Sequence, residues 1–264
     1  MKKLTFDVRP LADVLDAADL SGKGSLVEQV YVMLRRCIIN LSLPPDSALV
    51  EQDVATILGL SKTPVREAII RLVREGLVRV APKSGSFVTE ISLERYFEAC
   101  FVRAQLELGC VKRLAANGLS QSDEVRLRAL ISEQREAAEK NDDAAFYQLD
   151  EALHRCLFDV TGLSRVWEVM NVAKAEMDRV RHLKRAFGIR QHRLVIEEHT
   201  EIVDAIVERN PERAEQALLT NIGAVEDAMS AISDNPQLLR TIDDLNKLVP
   251  ASRRPRGSSR AAKA

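Results

Sequence analysis

Apolar residues recur at spacings of three and four along most of the chain, which is the period of amphipathic α-helices. From residue 25 to about 41 this pattern is regular, and Pro44-Pro45 follows it because proline cannot continue a helix. The buried stripe of this first helix is predicted to hold Leu26, Val30, Met33, Leu34 and Cys37. A shorter helical pattern covers residues 51–58 and ends at Gly59. The chain is therefore predicted to be mainly α.

The stretch 61–76, SKTPVREAIIRLVREG, carries both the start and the stop signals of a helix. Ser61 and Thr63 can accept hydrogen bonds from free amides, and Pro64 suits the first turn. Gly76 supplies the stop. One face is apolar and the opposite face is basic, with Val65, Ile69, Leu72 and Val73 on the first and Lys62, Arg66, Arg71 and Arg74 on the second. Because it follows the short helix after a brief turn, it is predicted to be the recognition helix of a helix-turn-helix.

A predicted hairpin comes directly after this helix. Two short β-prone runs at 77–80 and 87–89 flank the segment 82–86, which contains proline and glycine. Such runs around a turn are typical of a β-hairpin. A hairpin in this place is the wing of an N-terminal winged helix-turn-helix domain.

From residue 92 to 233 the pattern predicts helices only. Breaks are visible at Asn117-Gly118, Asn141-Asp142 and Thr161-Gly162, and Asn210-Pro211 is a strong helix start. The predicted segments are 93–117, 121–140, 142–160, 164–185, 189–209 and 211–233. Helices joined by short connections pack side by side, so the region is predicted to be an antiparallel helical bundle.

The two ends of the chain lack such a sustained pattern. Residues 1–24 finish in Ser-Gly-Lys-Gly and are expected to form a flexible arm. Residues 234–264 are poor in apolar side chains and end in a basic stretch, so a flexible basic tail is expected there. The predicted divisions are thus 1–24, 25–91, 92–233 and 234–264.

Charge is unevenly distributed although the formal net charge is only −1. Residues 61–86 carry six basic and two acidic side chains, whereas residues 93–231 carry 19 basic and 25 acidic ones. A positive surface is therefore expected on the winged helix, where it favours a polyanion such as double-stranded DNA. The acidic bundle argues against a second nucleic-acid-binding domain.

Composition also limits where the protein works. No apolar run approaches the roughly 20 residues of a membrane span, and the first 20 residues lack the apolar core of a signal peptide. A cytoplasmic protein without membrane contact is expected. The cysteines show no C-x-x-C pair, which favours buried reduced thiols over a metal or redox site; they are Cys37, Cys100, Cys110 and Cys156.

Three residues of the helical region have the chemistry of a metal site. Asp150 and His154 are spaced i, i+4 and so lie on one helix face. His199 lies in the middle of another predicted helix, within its apolar stripe. Two histidines and a carboxylate in one bundle can hold a divalent transition metal. Judged by spacing alone, isolated core or surface histidines are the better interpretation.

The segment SKTPVREAIIRLVREGLVRVAPKSGSFV resembles the GntR family of bacterial transcription regulators. The resemblance rests on the T-P-V-R-E-A run, the R-L-x-x-E-G-L run and the P-x-x-G-x-x-V wing, and it extends over 25–91. Asp46 departs from a glycine that is frequent in the family. Val50 departs from a capping Ser or Thr, so the next helix start should be weaker. The resemblance implies a homodimeric DNA-binding regulator rather than an enzyme, with repression the commoner mode.

The resemblance also implies which residues contact DNA. The first turn of a recognition helix enters the major groove, where arginine can bond guanine bidentately, so Arg66 is the best candidate for reading a base. The wing tip from Lys83 to Gly85 is expected to approach the minor groove. Contacts to phosphates or base edges are expected from Gln52, Ser61, Lys62 and Thr63.

The order and length of the later helices resemble the FCD ligand-sensing domain of the FadR branch of the same family. Many members hold a metal with an Asp, a His four residues later and two further histidines, and Asp150, His154 and His199 match the first three. The fourth position falls at Asn221, whose oxygen is a poorer ligand for zinc or nickel than imidazole. Either water or an effector carboxylate completes the shell of a divalent metal, or the site holds none.

Arg103 and Glu107 are further marks of that domain. The resemblance implies that this arginine faces the pocket, where it would bind a carboxylate bidentately. The effector is then a small organic acid or sugar acid, bound near Arg103, Glu107 and Asn221. The alternative is an intramolecular pair between Arg103 and Glu107.

Two other functions remain open from the sequence. A metal-dependent enzyme fused to a DNA-binding head would need a general base beside the metal, for which Glu197 or Glu198 is available. A ligand-independent DNA-binding protein would show no effector response at all.

Overall fold

The computed structural model describes residues 9–20, 22, 24–187, 192–223 and 225–249. Residues 1–8 of the predicted arm and 250–264 of the predicted tail lie outside these ranges, as does the start of the segment predicted at 189–209.

The chain divides into two compact units. The first unit is formed by the residues up to 93, together with 175–183 and the segment that begins at 235. The second unit is formed by 94–174 and 184–234.

The first unit contains the predicted winged helix-turn-helix. Its core is built from most of the predicted apolar positions, and Leu34, Val65 and Leu72 are completely buried in it. Leu26 was predicted to belong to the buried stripe of α1 but is 47% exposed. Its elements are α1 (Leu26–Ile39), α2 (Glu51–Leu58), α3 (Lys62–Arg74), β1 (Val78–Ala81) and β2 (Gly85–Val88). The mainly α fold with a short hairpin after the recognition helix is therefore confirmed.

The ends of these helices follow the local sequence with one exception. Ser25 caps α1 by accepting a hydrogen bond from the Glu28 amide, and Gly59 ends α2 with a left-handed φ of 65°. Val50 precedes α2 without a side-chain cap, as its aliphatic side chain requires. Ser61 occupies the N-cap position of α3 but makes no side-chain cap bond, so the predicted bond to a free amide is not formed there.

The hairpin is antiparallel, and its register pairs Val78 with Val88 and Ala81 with Gly85. Lys83, in the turn between the strands, adopts a φ of 60°, and Gly85, the first residue of β2, adopts a φ of 113°. The outer edge of β2 is also paired, because the Leu49 amide donates to the Ser86 carbonyl at 2.8 Å. The wing is thus held on both edges of β2.

Two segments predicted to be flexible are ordered in part. Short 3-10 turns form at Leu11–Asp13 and Ala17–Asp19, and Leu15 between them is buried. Residues Pro236–Lys247 form a helix, α12, so the prediction of a flexible tail is wrong for these residues. The prediction missed α12 because the segment as a whole is poor in apolar residues. Its few apolar residues nevertheless form one buried stripe, which consists of Leu238, Ile242 and Leu245.

Helix α8 (Ala175–Ala186) contributes its first residues to the first unit through buried charges. Asp178 accepts a hydrogen bond from Arg35 of α1 at 2.9 Å, and Arg35 also donates to Glu75 at 2.9 Å. Arg179 is completely buried and donates to the Thr89 carbonyl at 2.9 Å. Buried charges are costly unless they are paired in this way. These pairs therefore fix the position of α8 in the first unit.

The second unit consists of helices, as predicted. They are α4 (Leu93–Asn117, whose first residue belongs to the first unit), α5 (Gln121–Glu139), α6 (Asp143–Val160), α7 (Ser164–Ala173), α9 (His192–Val207), α10 (Pro211–Ile222) and α11 (Val225–Ser233). The prediction of a single helix over 164–185 is wrong, because this segment is divided at Lys174 into α7 and α8. The segment 211–233 also divides, because Gly223 adopts a φ of 78° that helices do not use.

The cysteines are buried free thiols, as predicted. Burial raises the pKa of Cys110 to about 11, so this thiol stays protonated near neutral pH. No helix in the part of the chain that the structure describes has the length and apolar character needed to cross a bilayer.

Candidate functional sites

A buried cluster of metal-ligand type lies inside the second unit. Asp150 and His154 lie on α6, and His199 lies on α9. One ligand atom of each lies within 4.8 Å of the others, and all three side chains are buried. His199 Nε2 is 3.6 Å from Asp150 Oδ1. The structure therefore brings together the three residues predicted as metal ligands.

Each histidine of the cluster has its Nδ1 atom placed by a buried neighbour. His199 Nδ1 lies 2.9 Å from the Gln134 side-chain oxygen, which can only accept a hydrogen bond. His154 Nδ1 lies 2.8 Å from Glu107 Oε2 in a poorly aligned contact that is mainly electrostatic. These contacts leave Nε2 as the ligating atom on both rings, as outer-shell partners do in known metal sites.

Glu107 connects the cluster to Arg103. The Arg103 guanidinium donates from Nε to Glu107 Oε1 at 2.7 Å, and both side chains are buried. Burial by itself raises the pKa of Glu107, but Arg103 and then His154 outweigh it and lower the pKa to about 2. The intramolecular pair between Arg103 and Glu107, one of the two alternatives, is thus formed.

The three ligands fit a divalent metal ion. His154 Nε2 is buried and has no hydrogen-bond partner among the residues that the structure describes, although buried polar atoms are normally satisfied. Metal bonds of about 2.0–2.2 Å in a tetrahedral site would place the ligand atoms roughly 3.4 Å apart, so side chains that lie within 4.8 Å of one another would have to move closer by up to about 1.4 Å. An ion there would satisfy His154 Nε2.

Asn221 is held by Glu198, the residue that precedes His199 in the sequence. It is buried on α10, and its side-chain nitrogen donates to Glu198 Oε2 at 2.9 Å. The amide nitrogen is therefore committed to a carboxylate, and any ligand atom that Asn221 offers must be its oxygen. Oxygen is a harder ligand than the imidazole that the resemblance would place here.

Gln134 of this site was missed from the sequence, and Glu198 was named there only as a possible general base beside the metal. Gln134 is completely buried and follows Leu127 and Ile131 on the buried stripe of α5. A polar residue on an apolar stripe was the signal that could have identified it. The contact of Glu198 with Asn221 had no such signal, because an acid beside a histidine on a helix is common.

The predicted DNA-contacting residues lie on α2, α3 and the wing turn. Lys62, Thr63 and Arg66 of α3 are exposed. Ser61 before α3, Lys83 in the wing turn and Gly85 at the start of β2 are exposed as well. Gln52 of α2 is exposed and donates to the Thr56 hydroxyl at 3.1 Å. A side chain at Gly85 would be strained at its φ of 113°.

Arg66 is paired with a residue that the sequence did not point to. Its Nε atom lies 3.1 Å and 3.0 Å from the two carboxylate oxygens of Glu51, the first residue of α2. Its Nη2 atom lies 3.0 Å from Glu51 Oε2, and the Arg66 side chain is still 63% exposed. The pair therefore joins the two helices of the helix-turn-helix while leaving the arginine accessible.

A separate groove of about 790 Å³ lies between α5 and α9. Its lining includes His192, Arg193 and Thr200 but none of Asp150, His154 or His199. His192 Nε2 lies 3.1 Å from Asp143 Oδ1. The groove and the buried cluster are thus distinct.

Comparison with protein families gives two matches. The description "Bacterial regulatory proteins, gntR family" matches residues 26–88, and the description "FCD domain" matches residues 98–224. The first range covers α1 to β2, and the second contains all the residues of the metal-ligand cluster.

Individual proteins agree with these matches. An uncharacterized HTH-type transcriptional regulator of Streptomyces ambofaciens is 36% identical over 216 residues, which are 80% of this chain and 89% of that protein. The HTH-type transcriptional repressor RspR of Escherichia coli K12 is 28% identical over 206 residues, which are 78% and 89% of the two chains. The solved structure of E. coli McbR/YncC, 24% identical, shares the fold with a TM-score of 0.67 over 80% of this chain and 99% of that one.

Proposed function

Since the chain belongs to the gntR family of bacterial regulatory proteins and carries an FCD domain, we propose that it is a transcriptional repressor whose operator affinity responds to a small carboxylate. DNA binding and transcription regulation follow from the family itself. Repression is the proposal for this chain, and the name of its relative RspR supports it. As a DNA-binding regulator it would act in the cytoplasm as a homodimer on a near-palindromic operator.

The observation that carries the effector proposal is the buried chain of contacts from Arg103 through Glu107 to His154. Glu107 occupies the Nε edge of the Arg103 guanidinium, which leaves the terminal nitrogens to bind a carboxylate bidentately. Glu107 neutralises the charge of Arg103, so the preference for a small organic acid or sugar acid rests on the remaining guanidinium donors and on the positive charge that a bound metal would add.

We also propose that Asp150, His154 and His199 hold a divalent metal in the second unit. When bound, the metal would supply positive charge for the effector carboxylate. Glu107 and Gln134 orient the two imidazoles, and Asp150 provides the anionic ligand. An effector changes operator affinity only if it binds two arrangements of the protein with different affinity.

A small acid that binds this site is expected to raise the melting temperature, because a ligand that binds only the folded state stabilises it by about 2.7 kcal/mol at 100 times its Kd. Thermal-shift screening of small carboxylic and sugar acids measures this effect. Arg103→Lys should lose most of the shift, since lysine keeps a charge for Glu107 but lacks the planar fork.

Arg113→Lys is the matched control, because Arg113 is an exposed arginine on the same helix. An equal response of Arg103→Lys and the parent protein to the same acid would contradict the carboxylate-anchor role. If none of the acids shifts the parent protein, the ligand-independent alternative is favoured.

Replacing Asn221 with histidine is expected to raise the affinity for Zn²⁺ on the order of tenfold, because a third imidazole completes a four-coordinate shell. Competition with a chromophoric zinc chelator measures the affinity. Asn117→His introduces the same side chain at the exposed end of α4 and should leave it unchanged. A zinc affinity of Asn221→His equal to that of the control would show that position 221 does not face the metal.

A further inference from the structure

Glu51 meets Arg66 along one particular edge of the guanidinium. The carboxylate lies within 3.1 Å of Nε and 3.0 Å of Nη2, so it occupies the side edge of the group. The opposite terminal nitrogen, Nη1, has no hydrogen-bond or ion-pair partner among the described residues. Arg66 therefore keeps its end edge, formed by Nη1 and the second hydrogen of Nη2, for another acceptor.

This geometry decides how Arg66 can bind a base. A guanidinium can bond guanine O6 and N7 through either its side edge or its end edge, and both are bidentate. Glu51 blocks the side edge and restrains the rotamers of a long, exposed side chain. An arginine held in this way approaches guanine only end on, and less conformational entropy is lost when it binds.

Glu51 also has an unfavourable effect on DNA binding in general. It is a carboxylate on the first turn of the helix that precedes the recognition helix, only 29% exposed and fixed beside a DNA-reading side chain. A negative charge there repels phosphates whatever the sequence of the DNA. Its removal should therefore strengthen non-specific binding and weaken base discrimination, a combination that a merely structural residue would not produce.

We propose that Glu51 is a positioning residue that sets the base specificity of this regulator by holding Arg66 for end-on recognition of guanine. The proposal rests on the base-reading role of Arg66. Glu51 contacts Arg66 rather than DNA. It lowers the affinity for DNA of any sequence and raises the preference for guanine over other bases. The partner recognised is a guanine in the major groove of double-stranded DNA.

The test begins with duplexes selected from a random library by the parent protein. Arg66→Ala identifies the guanine that Arg66 reads as the position where base preference disappears. Binding is then measured for Glu51→Gln at constant salt, on the selected duplex, on the same duplex with adenine at that position, and on an unrelated duplex. Glu51→Gln keeps the size of the side chain and removes its charge.

We expect Glu51→Gln to reduce the preference for guanine over adenine about two- to tenfold per recognition helix, the range set by the cost of ordering one long side chain. Its binding to the unrelated duplex should be tighter than that of the parent protein, because a charge that repels phosphates is removed. Asp53→Asn is the matched control, because Asp53 is an exposed acid on the same first turn of α2. It should leave the preference unchanged.

The outcomes distinguish the positioning role of Glu51 from the base-reading role of Arg66. If Glu51→Gln keeps the full guanine preference while Arg66→Ala loses it, the positioning role is wrong and Arg66 still reads the base. If Arg66→Ala loses no preference at any position, the base-reading role itself is wrong. A uniform loss of affinity on all three duplexes, with a lowered melting temperature, would mean that Glu51 acts only on the stability of α2.

Discussion

Arg66→Ala is expected to weaken binding to the selected operator roughly 5- to 150-fold per recognition helix while the fold stays intact. A bidentate contact to guanine is worth about 1–3 kcal/mol of discrimination, and alanine removes it entirely. The side chain is 63% exposed and packs in no core, so its loss costs little folding free energy. Fluorescence anisotropy at fixed salt measures the affinity, and thermal melting monitored by circular dichroism checks the fold.

The control for this change is Arg74→Ala, at the exposed C-terminal end of the same helix. It removes the same charge far from the first turn, so any loss of affinity should be the same on every duplex. Binding of Arg66→Ala at parental affinity to the selected duplex would reject α3 as the base-reading element.

His199→Ala is expected to abolish binding of a divalent metal, which the parent protein should take up at about one ion per chain. The imidazole is a direct ligand in the proposed site, so its loss should exceed the roughly 10- to 100-fold that removal of an outer-shell partner costs. The variant also leaves Gln134 without its partner, which lowers stability on its own. The informative quantity is therefore the shift in melting temperature on adding metal, together with metal content after dialysis.

His192→Ala provides the comparison, because His192 lies on the same helix but points to a different partner, Asp143. It should keep the metal content and the metal-dependent shift of the parent protein. If His199→Ala and the parent bind the same amount of metal, Asp150, His154 and His199 do not form the site. If neither protein binds metal, the three side chains form only a buried polar network. The asparagine at position 221, in place of a histidine, would then explain why no metal binds.

Much of the first unit could be predicted because its sequence signals are local. The stripe that contains Val65 and Leu72, the proline at the start of α3 and the glycine after it are all read within a few turns of chain. The hairpin is equally local. These elements and the assignment to a family of regulators rather than enzymes are confirmed.

The position of α8 could not be predicted because the contacts that fix it are distant in sequence. Arg35 pairs with Asp178 across 143 residues, and no spacing rule connects them. The helix α12 was missed for a related reason, since a short stripe in a polar segment gains its stability from a core that the sequence does not display.

The metal-ligand cluster was predicted in part. Asp150 and His154 share one helix face by spacing, but only the resemblance connected them with His199. The orientation of each imidazole depends on Glu107 and Gln134, which lie on two other helices. Such contacts between helices are set by packing, so their geometry could not be obtained from the order of residues.

Because α8 packs into the first unit, the DNA-binding half of this protein cannot be isolated or exchanged as residues 25–91 alone without losing contacts. That half is not one continuous stretch of chain, since the polypeptide leaves it and returns to it before it ends. A gene fragment that stops after the wing would lack Asp178 and Arg179, and Arg35 would lose one of its two buried carboxylates. A chimera that contains only residues 25–91 would therefore include the DNA-contacting surface but lack some of the buried ion pairs that stabilise it.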